Sequence, residues 1–464
     1  MIRGPGTNNW DISINKKWPI ASEKRRLEFR FEMYNAWNHT QFSSVDTTAR
    51  FAPDGSQTNQ RFGQLTAANP ARQIQAGCDL YSNKETVMET NPISRRKLVT
   101  AAAVVPLSAV RGSAANSAVT VGLIGCGGRG TFDIGLMSHI DGARVTSLAD
   151  LFPERIAATK EKAKLGDVKS FNSGAELLEK SGVDAVIIAT PVYLHPEHFE
   201  AAVRAKKNIY IEKPAGADVA GVKRLMAAAD SADRSLNIAF GFQQRYSPLY
   251  RKAKKLAESG ALGGLTMGHS YWVKNQIRPN GKQQEFPKTE IEKIRQWHDW
   301  RELFGDYIVE NNVHGIDILN WFLGGHPNKA YGTGGRTSIN YGNNQDHCYV
   351  TYDYANNVQG HLIGCMMAPR WYRDVKEQFF GDKGMVETHR EFWRHYRGKD
   401  DFVEEKAPRD ITIDALTEFI QRIRDGKPAN AAMTGAESTL TAILGRMAVD
   451  QRREVTWEEM MKSA

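Results

Sequence analysis

"VTVGLIGCGGRGTFDIGLMSHI", residues 119–140, reads as three pieces joined without a spacer. Its first six residues are apolar and β-prone, its last dozen carry helically spaced apolar positions, and Gly125, Gly127 and Gly130 stand between them. Each glycine answers a separate need: Gly125 permits a tight turn, Gly127 lets a pyrophosphate approach the backbone, and Gly130 lets helix pack on strand. Gly128 and Arg129 complete the turn, whose helix N-terminus favours an anion. The next strand, ARVTSLAD at 143–150, ends in Asp150, about twenty residues past the last glycine, where a carboxylate can accept from both ribose hydroxyls. Asp150 favours NAD over NADP, whose extra phosphate it would repel. A bare GxGxxG is a weak signal, but set between strand and helix with the acid in register it predicts dinucleotide binding.

Strand and helix units continue outward from this core. DAVIIATP (184–191) precedes HPEHFEAAVRAKK (195–207), NIYIEKP (208–214) precedes DVAGVKRLMAAADSA (218–232), and LNIAFGF (236–242) follows. Such alternation predicts a parallel sheet, with ligands gathered at the carboxyl ends of its strands. Thr190, Pro191, Glu212 and Lys213 fall at such ends. From residue 267 the pattern changes to strands with hairpin turns, as in HCYVTYDYANNVQGHLIGCMM (347–367), and GAESTLTAILGRMAVD (435–450) reads as a closing helix. A two-residue turn at Asn356–Asn357 would set Cys348 opposite Cys365, as a disulfide or as two ordinary sheet cysteines. The four cysteines, with Cys78 and Cys126, are too few for a disulfide scaffold.

Upstream, SRRKLVTAAAVVPLSAV (94–110) has a paired-arginine start, an apolar run and small residues after it. The run is too short to span a bilayer. It resembles a twin-arginine signal, which predicts a periplasmic or otherwise exported protein, or a cytoplasmic one if the preceding residues mask it. Apolar and polar residues alternate strictly in LEFRFEMY (27–34) and again in IQAGCDL (74–80), as in strands with one apolar face. With NAWNHTQF between them, residues 10–80 resemble the last strands of a TonB-dependent receptor barrel. Too few to close a barrel, they mark residues 1–87 as a fused fragment or an over-extended reading frame, not independently folded and without a function of its own. The formal charge is +8. Residues 1–87 hold 11 Lys and Arg against 8 Asp and Glu, and residues 88–115 hold 4 against 1, which leaves +2 for residues 116–464. Such a balance gives no footprint for nucleic acid or an anionic membrane, and no later stretch is apolar enough to span one.

GCGGRG (125–130), ATPVYLH (189–195), EKP (212–214) and NNVHGIDILNWF (311–322) occur in one order. Together they resemble the Gfo/Idh/MocA family, the relatives of glucose-fructose oxidoreductase and inositol dehydrogenase. The resemblance implies a Rossmann domain over 117–244 after the signal and linker at 88–116. An α/β domain with a large, mostly antiparallel open sheet then covers 245–464, and the likeness also implies a homo-oligomer. It places Lys213 beside the nicotinamide and the reacting hydroxyl, His314 as the base for that hydroxyl, and Glu310, where many members carry Asp, as its support. Thr190, Pro191 and His195 match the cofactor-cradling loop. At i, i+4 and i+7, Glu310, His314 and Asp317 would share one helical face. Arg245, Tyr271, Trp297, His298 and Asp317 are candidate substrate contacts, although the aromatic residues of QWHDWRELF suit a core equally well. The HxxH of His195 and His198 has no supporting cluster, so no metal is expected.

These readings predict an NAD(P)-dependent oxidoreductase that moves a hydride from a sugar's ring carbon to a tightly held nicotinamide. Outside the cytoplasm no NAD pool exists, so an exported enzyme of this type must restore its cofactor within each turnover. A second sugar can do so. An alternative is an NAD-dependent glycoside hydrolase that oxidises C3 transiently, eliminates, adds water and re-reduces. From another class comes a catalytically inactive dinucleotide-binding sensor, which retention of Lys213 with His314 argues against.

Overall fold

The computed structural model of the chain describes residues 12–20, 22–34, 42–45, 65–68, 73–82, 118–278 and 281–463, with the single positions 52, 56 and 59. The signal-like segment at 88–116 lies outside the described residues. Two compact units are present, Met1–Val104 and Val105–Ala464. In the first, strands Ile12–Ile20, Ser22–Tyr34 and Gln73–Ser82 form an antiparallel sheet in that order, and Phe42–Val45 pairs with Leu65–Ala68. Both alternating stretches fall in these strands, with Leu27 opposite Leu80 and Met33 opposite Ile74.

The second unit opens with β1 (Val119–Ile124), α1 (Gly128–Met137), β2 (Ala143–Ala149), α2 (Pro153–Lys162), β3 (Lys169–Phe171), α3 (Gly174–Lys180) and β4 (Ala185–Ile188). It continues with α4 (His195–Arg204), β5 (Asn208–Ile211), α5 (Val219–Asp230) and β6 (Ile238–Phe240). All six strands are parallel, in the order β6-β5-β4-β1-β2-β3. The order reverses between β1 and β4, so the loops leaving these two strands diverge and open the crevice where doubly wound sheets hold ligands. Strands β4 and β5 are apolar and almost wholly buried, as a sheet covered on both faces requires.

After α6 (Pro248–Glu258) comes β7 (Leu265–Lys274), then α7 (Glu290–Gln296), α8 (Arg301–Phe304), α9 (Asp306–Glu310) and α10 (Val313–Leu323). A second sheet joins β7 to β8 (Lys329–Gly335), β9 (His347–Asp353), β10 (Gln359–Cys365), β11 (Arg373–Gly381), β12 (Met385–Thr388), β13 (Phe392–Tyr396), β14 (Phe402–Lys406) and β15 (Val455–Thr456). Its order is β14-β13-β12-β11-β7-β10-β9-β8-β15, antiparallel except for the β7–β10 pair. Along β7 the even positions Gly268, Ser270 and Trp272 are buried under α10, while the odd ones face outward. The close approach needs small residues, for a Cβ on Gly315 of α10 would stand 1.9 Å from Ser270 Oγ. On the outer face Tyr331 and Tyr349 remain 58 % and 52 % exposed.

Two expectations are corrected. The β9–β10 hairpin turns through Ala355, Asn356 and Asn357, with both asparagines at positive φ, rather than through two residues. The extra residue moves the register by one: Cys348 faces Gly364 and Cys365 faces His347. The two cysteines therefore point to opposite faces, and both are free. The division of the chain at 244/245 is also incomplete. Helix α11 (Ile411–Arg424) returns to the first sheet and buries Ala415, Leu416, Phe419 and Ile420 against Val121, Leu123 and Tyr210. Residues 429–431 then run beside the edge strand β6, with Ile238 N–H donating to the Ala429 carbonyl at 2.7 Å and Ala431 N–H to the Ile238 carbonyl at 2.9 Å. The apolar stripe of α11 needs an apolar partner, and the open face and edge of the parallel sheet supply one. Helix α12 (Ala432–Gln451) packs between the two sheets, against α5 and β8.

Candidate active site

The glycine turn has the geometry its spacing implies. Gly125 has φ +100°, where a Cβ would stand 2.6 Å from the Ala189 carbonyl oxygen. At Gly130 a Cβ would stand 2.0 Å from the Gly125 carbonyl oxygen, while at Gly127 it would meet nothing within 4 Å. Gly127 is thus the open side of the turn, where a phosphate can lie against the backbone. Asp150 is pinned at the end of β2: its Oδ2 accepts from Cys126 N–H at 2.8 Å and its Oδ1 from Phe152 N–H at 2.9 Å. A cavity of about 1240 Å³ runs from this carboxylate past the turn to Lys213 and Glu310. It exceeds the roughly 300–1,000 Å³ of an ordinary small-molecule site, so a dinucleotide and a second small molecule fit together. The open Gly127, the helix N-terminus behind it and the fixed carboxylate suit NAD.

Beneath the turn, Arg129 Nη2 lies 2.8 Å from Glu212 Oε1 and 3.1 Å from Asp133 Oδ1. Burial, then the neighbouring Glu212 charge, push the Asp133 carboxyl well above the usual range. Thr190 and Pro191 line the cavity with His195, which braces two loops. Its Nδ1 is 2.7 Å from the Pro214 carbonyl and its Nε2 is 2.9 Å from that of Thr190. With both ring nitrogens occupied, His195 has none to offer a metal. Among the described residues no group of three or more His, Cys, Asp and Glu is placed to hold one.

Lys213 and Glu310 meet at the far end of the cavity. Lys213 Nζ donates to the Glu310 carboxylate at 2.5 Å and to its carbonyl at 2.6 Å, leaving one N–H for a ligand. Asn311 Nδ2 donates to the other carboxylate oxygen at 2.6 Å. Burial alone would raise the Glu310 carboxyl, but the Lys213 ammonium outweighs it and the net shift is downward. His314 sits just behind, 6 % exposed, stacked on Trp272 at 5.4 Å and edge-on to Phe242 at 6.0 Å. Burial, then Lys213, hold its imidazole well below its ordinary value, so it is neutral at neutral pH, and its buried Nδ1 has no protein partner.

Three expected residues lie elsewhere. Glu310, His314 and Asp317 do not share one helix, because α9 ends at Glu310 and α10 begins at Val313 after a turn. Asp317, wholly buried, instead accepts from Arg245 Nε at 2.9 Å on both oxygens and from Ser438 Oγ at 2.7 Å. Arg245 and Asp317 satisfy each other, so they brace α10 rather than line the cavity. Tyr271 occupies an odd position of β7 and points outward to His269, with its hydroxyl 3.2 Å from His269 Nδ1. Trp297 and His298 do line the cavity, with ring centroids 3.6 Å apart. Sequence reasoning missed Trp272 and Lys274 on the inward face of β7. Lys274 Nζ stands 4.8 Å over the Trp272 ring. The signal was available in the alternation of β7, once Trp272 was known to face inward.

Comparison with known proteins agrees with this geometry. Residues 119–240 match the family model "Oxidoreductase family, NAD-binding Rossmann fold", and residues 250–387 match the "GFO/IDH/MocA C-terminal domain". Residues 1–75 match an "Outer membrane beta barrel domain", consistent with the barrel-like alternation there. Myo-inositol 2-dehydrogenase of Thermotoga maritima is 24 % identical over 358 residues, which are 74 % of this chain and 99 % of the relative. Inositol 2-dehydrogenase of Acidothermus cellulolyticus is 31 % identical over 157 residues, 34 % of this chain and 45 % of the relative. Among solved structures, levoglucosan dehydrogenase in complex with NADH and levoglucosan superposes with a TM-score of 0.63 at 18 % identity, covering 73 % of this chain and 99 % of its own. Scyllo-inositol dehydrogenase of Lactobacillus casei, with bound NAD(H) and scyllo-inositol, gives 0.58 at 18 % identity, covering 74 % and 99 %. The two solved structures share the fold, and the two consecutive family matches settle the lineage. From Val119 onward the chain belongs to the Gfo/Idh/MocA family of NAD-binding oxidoreductases.

Proposed function

We propose that the chain oxidises a ring hydroxyl of a sugar or cyclic polyol. The observation that carries this reading is the Lys213–Glu310 pair at the end of the cavity that begins at the glycine turn, with the His314 imidazole close enough for the Lys213 charge to depress it. The relatives' names, inositol and levoglucosan dehydrogenases, point to the same substrate class. NAD, when bound, supplies the acceptor for the two electrons and the hydrogen that leave the ring carbon. Glu310 holds the Lys213 ammonium in place, and the remaining N–H donates to the substrate oxygen. That charge favours the developing alkoxide over the neutral alcohol. His314, neutral and with a free ring nitrogen, takes the hydroxyl proton. Trp297 offers an apolar face to the sugar ring.

Two further readings belong to this proposal. The twin-arginine-like segment directs export, so the cofactor is held through turnover and a second carbohydrate returns it to its starting state. A second copy of the chain covers the outer face of the nine-stranded sheet, where Tyr331 and Tyr349 would otherwise stay in water.

The test is purification without added cofactor, assay of acid-released NAD, and a screen of myo-inositol, levoglucosan and D-glucose for NADH formation. Lys213→Ala should retain NAD and lose about 10²–10³-fold in kcat, the scale of one preorganised charge at a developing oxyanion. Turnover by Lys213→Ala at the parent rate would overturn the assignment. Sugar release from aryl glycosides without net NADH would select hydrolysis instead.

A further inference from the structure

Helix α7 crosses the cofactor cavity with firm ties at its ends and weak ones along its length. The strand order β4-β1-β2 puts the glycine turn between the loops that leave β4 and β2, and α7 is tied to both. In the loop after β4, the Tyr193 hydroxyl donates to Glu290 Oε2 at 3.4 Å. Beyond β2, the Arg295 guanidinium lies 4.1 Å over the Phe152 ring, and its Nη2 is 3.5 Å from Glu154 Oε1. A helix held by the loops on either side of a turn passes above that turn. Ile294 and Arg295 accordingly line the same cavity as Gly127, Asp150 and Leu151.

Before α7, Pro287 is buried and Phe286 stands edge-on to Trp300 at 5.2 Å. After it, Asn344 Nδ2 donates to the His298 carbonyl at 2.7 Å, Asn343 N–H to the Asp299 carbonyl at 3.0 Å and Arg278 Nη2 to the Asp299 carboxylate at 2.6 Å. Between these roots no residue of α7 is buried. Arg295 and Glu154 are 53 % and 64 % exposed, and ion pairs in water hold weakly. The helix is nonetheless preformed: Thr289 and Glu292 complete a capping box, and Lys293 pairs with Glu290 at 2.6 Å. A stiff piece with fixed roots and loose clasps can lift as a unit. We propose that α7 is a strap over the dinucleotide, clasped by Arg295 to Phe152 and Glu154 and by Glu290 to Tyr193, which must lift before NAD enters or leaves. The strap acts on NAD whatever the substrate, and so goes beyond the oxidoreductase reading. Because the clasps join protein to protein, they hold it down with or without cofactor. Loosening them therefore speeds entry and exit alike and leaves affinity nearly unchanged. Loss of a residue that merely touches the dinucleotide speeds exit alone and weakens affinity.

The experiment follows NADH fluorescence by stopped flow in the full chain, which gives the rate of uptake and, with excess NAD as competitor, the rate of release. Arg295→Ala removes an exposed cation–π contact and an ion pair together, and should raise both rates about tenfold with Kd within about twofold. Glu154 and Tyr193 do not line the cavity, so they act on the strap without touching the cofactor. Glu154→Gln and Tyr193→Phe should each raise both rates by about two- to fivefold. Arg295→Lys keeps a cation for the ring and the carboxylate, and should restore most of the delay. An unchanged melting temperature shows that each variant is folded. Parent rates in Arg295→Ala would overturn the strap. So would faster release with unchanged uptake and a Kd weakened in proportion, the mark of plain contact. Either result leaves the oxidoreductase reading intact, whereas failure of the parent protein to take up NADH would overturn both.

Discussion

Two glycines five and two residues from the same turn residue separate packing from ligand approach. Gly130→Ala puts a Cβ 2.0 Å from the Gly125 carbonyl oxygen, where ordinary contact begins at 3.4 Å, so a backbone group must withdraw by more than an ångström. The obstacle is backbone and not a flexible side-chain tip, and the turn it belongs to is fixed by Gly125 at φ +100°. Overpacking of this kind costs about 3 kcal/mol or more. Gly127→Ala meets nothing within 4 Å and should fold normally. Its methyl group would occupy the space needed for a phosphate against the N–H groups of the turn. Loss of one such charge-assisted hydrogen bond is worth about 1.5–3 kcal/mol, or about 10–100-fold in NAD affinity. The assays are thermal unfolding followed by circular dichroism and calorimetric titration of NAD into stripped protein. Gly130→Ala should lower Tm by roughly 5 °C or more, and Gly127→Ala should leave Tm within about a degree while weakening NAD. Parent affinity in Gly127→Ala would refute the placement of the pyrophosphate, and parent stability in Gly130→Ala would refute the packing argument.

Two other outcomes are expected. The acid limb of kcat/KM should lie below pH 6.5, because burial and then Lys213 hold the His314 imidazole under that ordinary value; a limb at or above it would name another base. Burial pushes the Glu377 carboxyl from 4.5 up to about 7, despite donation from Thr388 and Tyr250 hydroxyls. The folded state then binds a proton that the unfolded chain has lost. That stability is complete below pH 4.5 and drains away as pH rises toward 7, by about 3 kcal/mol in all. Glu377→Gln should flatten the slope of chemical-denaturation stability across that window, and an unchanged slope would assign the dependence elsewhere.

What the sequence yields and what it withholds follow from the range of the forces concerned. The glycine turn and Asp150 are legible because each answers a local demand of backbone shape or charge at a strand end, whereas Lys213 was marked by the family resemblance that EKP carries. The hairpin at 354–358 misled by one residue, since two adjacent asparagines can each adopt positive φ and admit either turn length. The run 310–317 has helical spacing, yet Asn311 and Asn312 interrupt it, so Asp317 faces Arg245 while Glu310 faces Lys213. The place of Lys274 over Trp272 was invisible for a different reason: it depends on which face of β7 meets α10, and that is settled by Gly315 against Ser270, 45 residues apart in the chain. The return of α11 is likewise a long-range outcome, read only when the parallel sheet's uncovered face is seen.

That return governs the order in which the molecule can be made. The nucleotide-holding half is not finished when β6 leaves the ribosome, because one flank of its sheet waits for Ala415, Leu416, Phe419 and Ile420, and its outermost strand waits for residues 429–431. A nascent chain halted before Ile411 would present bare apolar surface and an unpaired rim, a template for clumping with its neighbours. A truncation before Ile411 spares Gly125, Gly127, Gly130, Asp150 and Lys213 and still removes the wall behind them.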